Sequence, residues 1–281
     1  MGRGIVVILG AGGMLGRDVA AACEKRGLAA LGYDLPEFDI ADGAQVQKAI
    51  DPADAVINCA AYTNVDGAES QREPAHRVNG EAVGQLGHLA ARGGKWVLHF
   101  STDFVFDGTL DRPYAETDTP NPISEYGRSK LAGERLLRES GCSHCIVRLE
   151  WTYGRGGNNF VRKIVERAQA GGPLNVVNDQ IGSPTATTEA AEAVCALLER
   201  RAEGLYHFAA AGYASRFDVA RFIVQQRCLD APVLPCSSRD YPSPARRPLN
   251  SRFDCSKIQA LLGTPIKPWQ EPLAAFVRQL G

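Results

Sequence analysis

The stretch "IVVILGAGGMLGRDVAAA" constrains the fold more than any other in the chain. An apolar run, Ile5 to Leu9, breaks at Gly10; Gly13 and Gly16 follow at three-residue steps, and from Met14 the apolar spacing turns helical. Glycines at a strand-to-helix junction allow positive φ, allow the backbone to approach a pyrophosphate, and let the helix lie close to the sheet. The helix N-terminus then offers free amides and a favourable dipole to an anion. Asp34, closing "LAALGYD", stands where a carboxylate accepts from adenine ribose hydroxyls. The junction therefore predicts a dinucleotide site built from Gly10, Gly13, Met14, Leu15, Gly16 and Asp34. A carboxylate at 34 opposes a 2′-phosphate and favours NADH over NADPH. In the following "DIADG", Asp39 and Ile40 either edge the adenine or belong to an Asp-capped start of the next helix.

The rest of the chain repeats the alternation. "GIVVIL", residues 14–26, "LAALGY", "DAVINC", residues 74–92, "WVLHFS", residues 124–140 and "CIVRL" read as strands and helices in turn. That is the pattern of a parallel sheet covered on both faces, an α/β, Rossmann-like doubly wound domain over residues 1–150. Over residues 151–281 proline and glycine cluster in "YGRGGNN", "DQIGSPT" and "YPSPARRP", with helical stretches near 160–170, 187–200 and 216–227. This predicts a smaller substrate lobe made of long loops, while "GLYHFAA" reads as a strand returning to the main sheet.

Charge and cysteines narrow the classes. With 31 basic and 32 acidic residues the chain has no basic excess for nucleic acid, and no apolar run reaches the length of a signal core or membrane span. Eight cysteines scattered mostly in apolar runs suit free thiols in a reducing compartment, so the reading is a soluble cytoplasmic protein. "CSHC" at 142–145 lacks a second Cys/His pair at zinc-like spacing and leads into a strand, so no metal site is assigned.

"VLHFSTDFVFDG" ends an apolar strand with Ser101, Thr102 and Asp103, and open α/β sheets bind ligands at the carboxyl ends of their strands. "SEYGRSKLAGE" sets Tyr126 and Lys130 four residues apart, on one face of a helix. Each feature alone also fits a turn or a solvated helix face.

Together, the glycine turn, the strand-end Ser-Thr and the Tyr-x-x-x-Lys resemble the extended short-chain dehydrogenase/reductase superfamily. "NCAAYTNVDGAE", "STDFVFDG", "NPISEYGRSKLAGE", "NNFV", "DQIGSPT" and "YPSPARRP" resemble the successive motifs of the dTDP-4-dehydrorhamnose reductase family. The resemblance implies reduction of the C4 ketone of dTDP-4-dehydro-L-rhamnose by NADPH or NADH. Tyr126 would donate the proton, Lys130 would lower the phenol's pKa and bind the nicotinamide ribose, and Thr102 would hydrogen-bond the carbonyl. Ala60, Ala61, Tyr62, Thr63 and Asn79 would line the cofactor cleft. Val65, Asp103, Phe104, Trp151, Asn159 and Gln180 would face the nucleotide sugar, and Arg247, rather than Arg246, its diphosphate.

Three positions depart from the family pattern: Phe104 where tyrosine is usual, Glu150 where serine is usual, and Arg216 where tryptophan is frequent. They leave the hydride chemistry in place and bear on the identity of the sugar. Two rivals stay open: a non-catalytic dinucleotide-binding subunit like the β subunit of methionine adenosyltransferase, and a reductase, epimerase or dehydratase for another nucleotide sugar. A homodimer and a Mg2+ ion, with Asp18 as a candidate contact, are options that the sequence does not decide.

Overall fold

The protein is described here by a computed structural model covering residues 4–280; the ends of the two expected domains, at 1–3 and 281, lie outside the described residues. Five short strands, β1 (Ile5–Leu9), β2 (Ala29–Tyr33), β3 (Ala55–Asn58), β4 (Trp96–Thr102) and β5 (His144–Leu149), pair in parallel with a sixth, Gly204–Phe208. The sheet order is Gly204–Phe208, β5, β4, β3, β1, β2. β3 and β4 are buried along their whole length, as strands of a doubly covered sheet should be, while the edge strand β2 is largely exposed. "GLYHF" thus closes the sheet beyond β5.

The chain leaves β1 for β2 on one side and returns to β3 on the other. Such a reversal opens a crevice above the carboxyl ends of the strands. On one face of the sheet, α1 (Met14–Lys25) and the helix Thr187–Glu199 cover Ile8, Ile57, Leu98 and Val147. On the other, the helices Gly43–Ile50 and Ala82–Arg92 pack over Val7, Val56, Val97 and Ile146. A separate cluster, with Tyr153, Ile164, Val219, Ile223, Trp269 and Leu273, forms the core of the segments beyond β5.

The expected helix at 74–92 is divided into Arg72–His76, a π-helical turn Arg77–Glu81, and Ala82–Arg92. π turns concentrate where a side chain must be re-aimed, and this one holds Asn79 fully buried. The helix Gly43–Ile50 is the Asp-capped helix that "DIADG" offered as one reading, though its cap is Asp42, whose carboxylate accepts from the amides of Ala44 and Gln45. The helices Ser256–Leu262 and Gln270–Gln279 and the two-stranded sheet joining Leu174–Val177 to Val233–Cys236 were not anticipated. No helix among the described residues is long and apolar enough to cross a membrane.

The helix Glu125–Glu139 carries the Tyr-x-x-x-Lys pair. Ser124 caps it, its hydroxyl accepting from the Gly127 amide at 3.2 Å. Farther along, Glu134 receives Arg148 of β5 through Nε at 2.8 Å and Nη2 at 2.7 Å, both side chains out of contact with water. Breaking such a pair from one side typically costs about 3–5 kcal/mol. The register of the helix on the sheet is fixed by charge as well as by packing.

Candidate active site

Gly10 ends β1 with φ +77°, and a Cβ there would lie 2.6 Å from the Ala60 nitrogen; a Cβ on Gly16 would lie 2.1 Å from the Gly10 oxygen. The turn after β1 is therefore pressed against the loop after β3, and the first turn of α1 against the turn after β1, which only glycines allow. Gly13 caps α1 without any side-chain bond to the first amides, and no acidic residue stands in that turn. These free amides, with Met14 and Leu15 on the first turn, fit a pyrophosphate. Asp34 closes the cleft at the end of β2, accepting from the Gly12 amide at 2.6 Å and the Leu35 amide at 2.8 Å.

Of the other expected cofactor residues, Ala60, Ala61 and Tyr62 are half-buried and Thr63 exposed along the loop after β3. Asn79 reaches them by an indirect route: its amide accepts from the Tyr62 nitrogen at 2.9 Å and donates to the Tyr62 oxygen and to Ser129, both at 3.0 Å. It clamps the loop that walls the cleft. Asp39 forms an Asx turn onto the Ala41 amide, and Ile40 is a core residue beside Val46 and Ala49. The Asp cap of the next helix is thus Asp42, and Ile40 has no exposed side chain to offer an adenine.

Thr102 ends β4 and Tyr126 stands in the first turn of its helix. The Thr102 hydroxyl donates to Asp103 Oδ1 at 3.0 Å and accepts from the Phe104 amide at 3.2 Å. Asp103 also accepts from the Ser251 hydroxyl, and burial nevertheless pushes its pKa up. Burial, then the Asp103 charge, push the Tyr126 phenol up to about 12, against a smaller opposing effect of the Thr102 hydroxyl. The expectation of a lowered phenol pKa is not met. Lys130 is itself pulled down to about 8 by burial, with Glu134 and Cys59 opposing, and its amine lies 3.4 Å from His99 Nε2.

On the substrate side a cavity of about 510 Å³ is lined by Asp66, Asn159, Phe160, Gln180, Arg216 and Arg247, among others. Arg247 lines it while Arg246 is exposed; Arg247 Nη2 pairs with Asp66 Oδ2 at 2.9 Å, and Ala245 donates its amide to the same carboxylate. Asn159 lines the cavity but its amide is engaged, capping the helix Phe160–Gln169 and donating to the Gly154 oxygen at 3.1 Å. Val65 opens the short helix Val65–Ala68 next to Asp66. Trp151 takes φ +45°, unusual for a large side chain, and the Arg216 guanidinium lies 3.5 Å over its ring.

Two departures from the family pattern meet at this point. Glu150 is completely buried under Trp151 with Oε1 on the Ser183 amide and Oε2 without a partner; burial, then Asp103, push its pKa well up. Asp18, the candidate ion contact, accepts instead from Thr187 Oγ1. Among the described residues no three His, Cys, Asp or Glu side chains gather as metal ligands would.

Sequence reading did not single out His99 or the Arg148–Glu134 pair. The available signal was a polar residue inside each apolar strand, "WVLHFST" and "CIVRL".

Residues 4–281 match the family model described as the RmlD substrate binding domain. The dTDP-4-dehydrorhamnose reductase of Mycobacterium tuberculosis is 40% identical over 277 residues, 96% of this chain and 91% of that protein. That of Mycolicibacterium smegmatis is 39% identical over 273 residues, 95% of this chain and 83% of that protein. The crystal structure of the Bacillus anthracis enzyme of that name in complex with NADP superposes with a TM-score of 0.94 at 32% identity, covering 99% of this chain and 100% of that one. A Thermus thermophilus UDP-glucose 4-epimerase, at 21% identity and a TM-score of 0.86, shares the fold.

Proposed function

This chain belongs to the RmlD substrate binding domain family, and we infer from that membership and the site geometry that it reduces the C4 ketone of dTDP-4-dehydro-L-rhamnose to an alcohol. The observation that carries the reading is that Thr102 reaches the Tyr126 phenol and that Lys130, one turn along the same helix, faces Cys59 in the loop that meets the glycine turn, whose free helix amides fit a dinucleotide. NADPH or NADH, when bound, supplies the hydride. The remaining chemistry belongs to the chain.

As charge gathers on the carbonyl oxygen, a proton and hydrogen bonds must reach it. With its pKa raised to about 12, Tyr126 keeps its proton throughout the neutral range and releases it only to a strongly basic oxygen, which a nascent alkoxide is. The phenolate left behind lies in the first turn of a fifteen-residue helix, where the dipole favours negative charge, with the Lys130 amine one turn along the same face. For Thr102 to donate to the substrate its proton must turn away from Asp103, and Ser251 remains to hold that carboxylate.

We assign cofactor contacts to the glycine turn, Asp34 and the Ala60–Thr63 loop, with Asn79 acting through Tyr62. The cavity's Arg247 suits a diphosphate by its planar donor fork, and Val65, Asp103, Phe104, Trp151, Asn159 and Gln180 are assigned to the sugar and nucleotide. We further propose a division of labour in which residues 1–150 bind the dinucleotide and much of 151–281 the nucleotide sugar. Eight free cysteines support a reducing, cytoplasmic setting. The proposed assembly, a homodimer, is open to sedimentation analysis.

The test is a spectroscopic one: dTDP-4-dehydro-L-rhamnose generated in place, the purified protein, and NADPH or NADH in turn. Loss of reduced-nicotinamide absorbance that depends on substrate supports the reading and gives the cofactor preference. Cofactor binding without oxidation would reject it. Glu150 and Arg216 at the sugar pocket then favour another nucleotide sugar, to be sought with a panel of them.

A further inference from the structure

His99 lies in the middle of β4, with no exposure to solvent, between two polar groups. Asn58, at the end of β3, accepts the Ala60 amide on Oδ1 at 3.0 Å, which fixes the orientation of its side chain. Its Nδ2 is therefore the atom facing His99 Nδ1, at 3.1 Å, and it must donate. A neutral imidazole that accepts on Nδ1 carries its proton on Nε2. That Nε2–H points at the Lys130 amine, 3.4 Å away.

An ammonium has three donors and no acceptor, so it meets an N–H unfavourably, whereas a neutral amine accepts from it. The opposite tautomer would set Nδ1–H against the Asn58 amide hydrogens. We propose that His99 is a positioning residue for the reaction: locked by Asn58 as its Nε2–H tautomer, it loosens the hold of Lys130 on a proton, so that Lys130 can reprotonate the Tyr126 phenolate after each turnover. A Lys130 N–H bond breaks as the phenol O–H bond reforms, the neutral amine then accepts from His99, and water returns the proton to Lys130. This inference rests on the reductase reading.

The other groups around Lys130 support the assignment. On its own helix stand Tyr126 and Glu134; the loop after β3 contributes the Cys59 thiol, and β4 His99. The charge of Glu134, the carboxylate that among the described residues would anchor the ammonium, is already answered by Arg148 at 2.7 Å and Arg138 at 3.5 Å. Burial and the neighbouring Lys130 charge hold His99 well below its ordinary pKa, so it stays a neutral imidazole.

Two measurements test this. Long-range nitrogen–proton NMR of the full chain labelled with 15N-histidine, with the His99 signals assigned by their loss in His99→Gln, should give a neutral Nε2–H ring across the neutral pH range. An Nδ1–H ring or an imidazolium would overturn the proposal, whatever the activity. In the second, pH profiles of kcat are compared for wild type, His99→Gln, whose amide can turn its oxygen to the ammonium, and Asn58→Asp, which draws the proton to Nδ1. The alkaline midpoint should rise by about one pH unit in either active variant, so that one unit above the wild-type midpoint it retains about five-fold more of its plateau rate. Unmoved midpoints in active variants reject the proposal and leave the reductase reading intact; no turnover by the wild type rejects that reading first.

Discussion

The ring of Phe104 meets the ring of Tyr126 edge to face, centroids 5.6 Å apart at 82°. Such pairs contribute about 0.5–1.5 kcal/mol beyond burial and fix ring orientation. Phe104→Tyr should keep the contact and hold kcat within about two-fold, whereas Phe104→Ala frees the phenol and should lower kcat about ten-fold or more, since small misplacements of reacting groups are costly. Steady-state kinetics on both variants decide this.

Tyr126→Phe removes the proton donor and keeps the ring. Turnover should fall by about 10²–10⁴-fold while nicotinamide affinity, read by fluorescence titration, changes little. Wild-type-like turnover would refute the assignment.

Gly127 follows the tyrosine because a Cβ there would lie 2.1 Å from the Phe104 carbonyl oxygen. Gly127→Ala must push the helix start off the turn Asp103–Val105 that follows β4. Unfolding in urea should reveal a loss of about 1–3 kcal/mol, accompanied by a fall in kcat larger than any change in KM.

Acid stability has a specific source in the loop before that helix. The Arg112 guanidinium holds Asp118 down to about 2, with both nitrogens at 2.7 Å, and the hydrogen bonds of Thr109, Asn121 and Tyr114 outweigh burial to hold Asp107 at about 2. A depressed folded-state pKa gives stability that is complete above the unfolded value of about 4 and is lost as pH falls toward about 2. Asp118→Asn should therefore destabilise the protein at neutral pH by about 1 kcal/mol, after allowance for the exposure of Arg112, and converge with wild type at the acid end. Urea midpoints across that range check the sign.

Arg216 stacks on Trp151 at 3.5 Å and lines the cavity with Arg247. Arg216→Ala should raise the KM for nucleotide sugar about ten-fold with a smaller effect on kcat, and Arg216→Trp, which retains stacking surface without charge, should recover only part of the loss. If both KM values stayed at the wild-type level, Arg216 would have no part in binding.

The alternation of strands and helices along the chain, the glycine turn and the helix bearing Tyr126 and Lys130 were legible because each rests on local chemistry: periodicity, caps and glycine at crowded turns. Less was legible where a residue acts through a distant partner. Asn79 reads as a cleft residue, yet it serves through the backbone of Tyr62, seventeen positions away. The phenol's pKa could not be inferred from its spacing to Lys130, because burial and then Asp103 raise it. Short helices such as Ser256–Leu262 are held by tertiary packing more than by propensity, so they leave a weak trace in the sequence.

The Asp66–Arg247 pair gives the substrate cavity an anion of its own. A guanidinium that already holds a carboxylate at 2.9 Å is not an open receptor; any entering group competes with Asp66 for it. A singly charged carboxylate gains little by that exchange, while a diphosphate brings more charge and more acceptor oxygens than Asp66 can. If Arg247 meets the diphosphate as proposed, the pair makes the cavity a filter by valence, one that favours a dianion over small monoanions before the shape of a sugar matters.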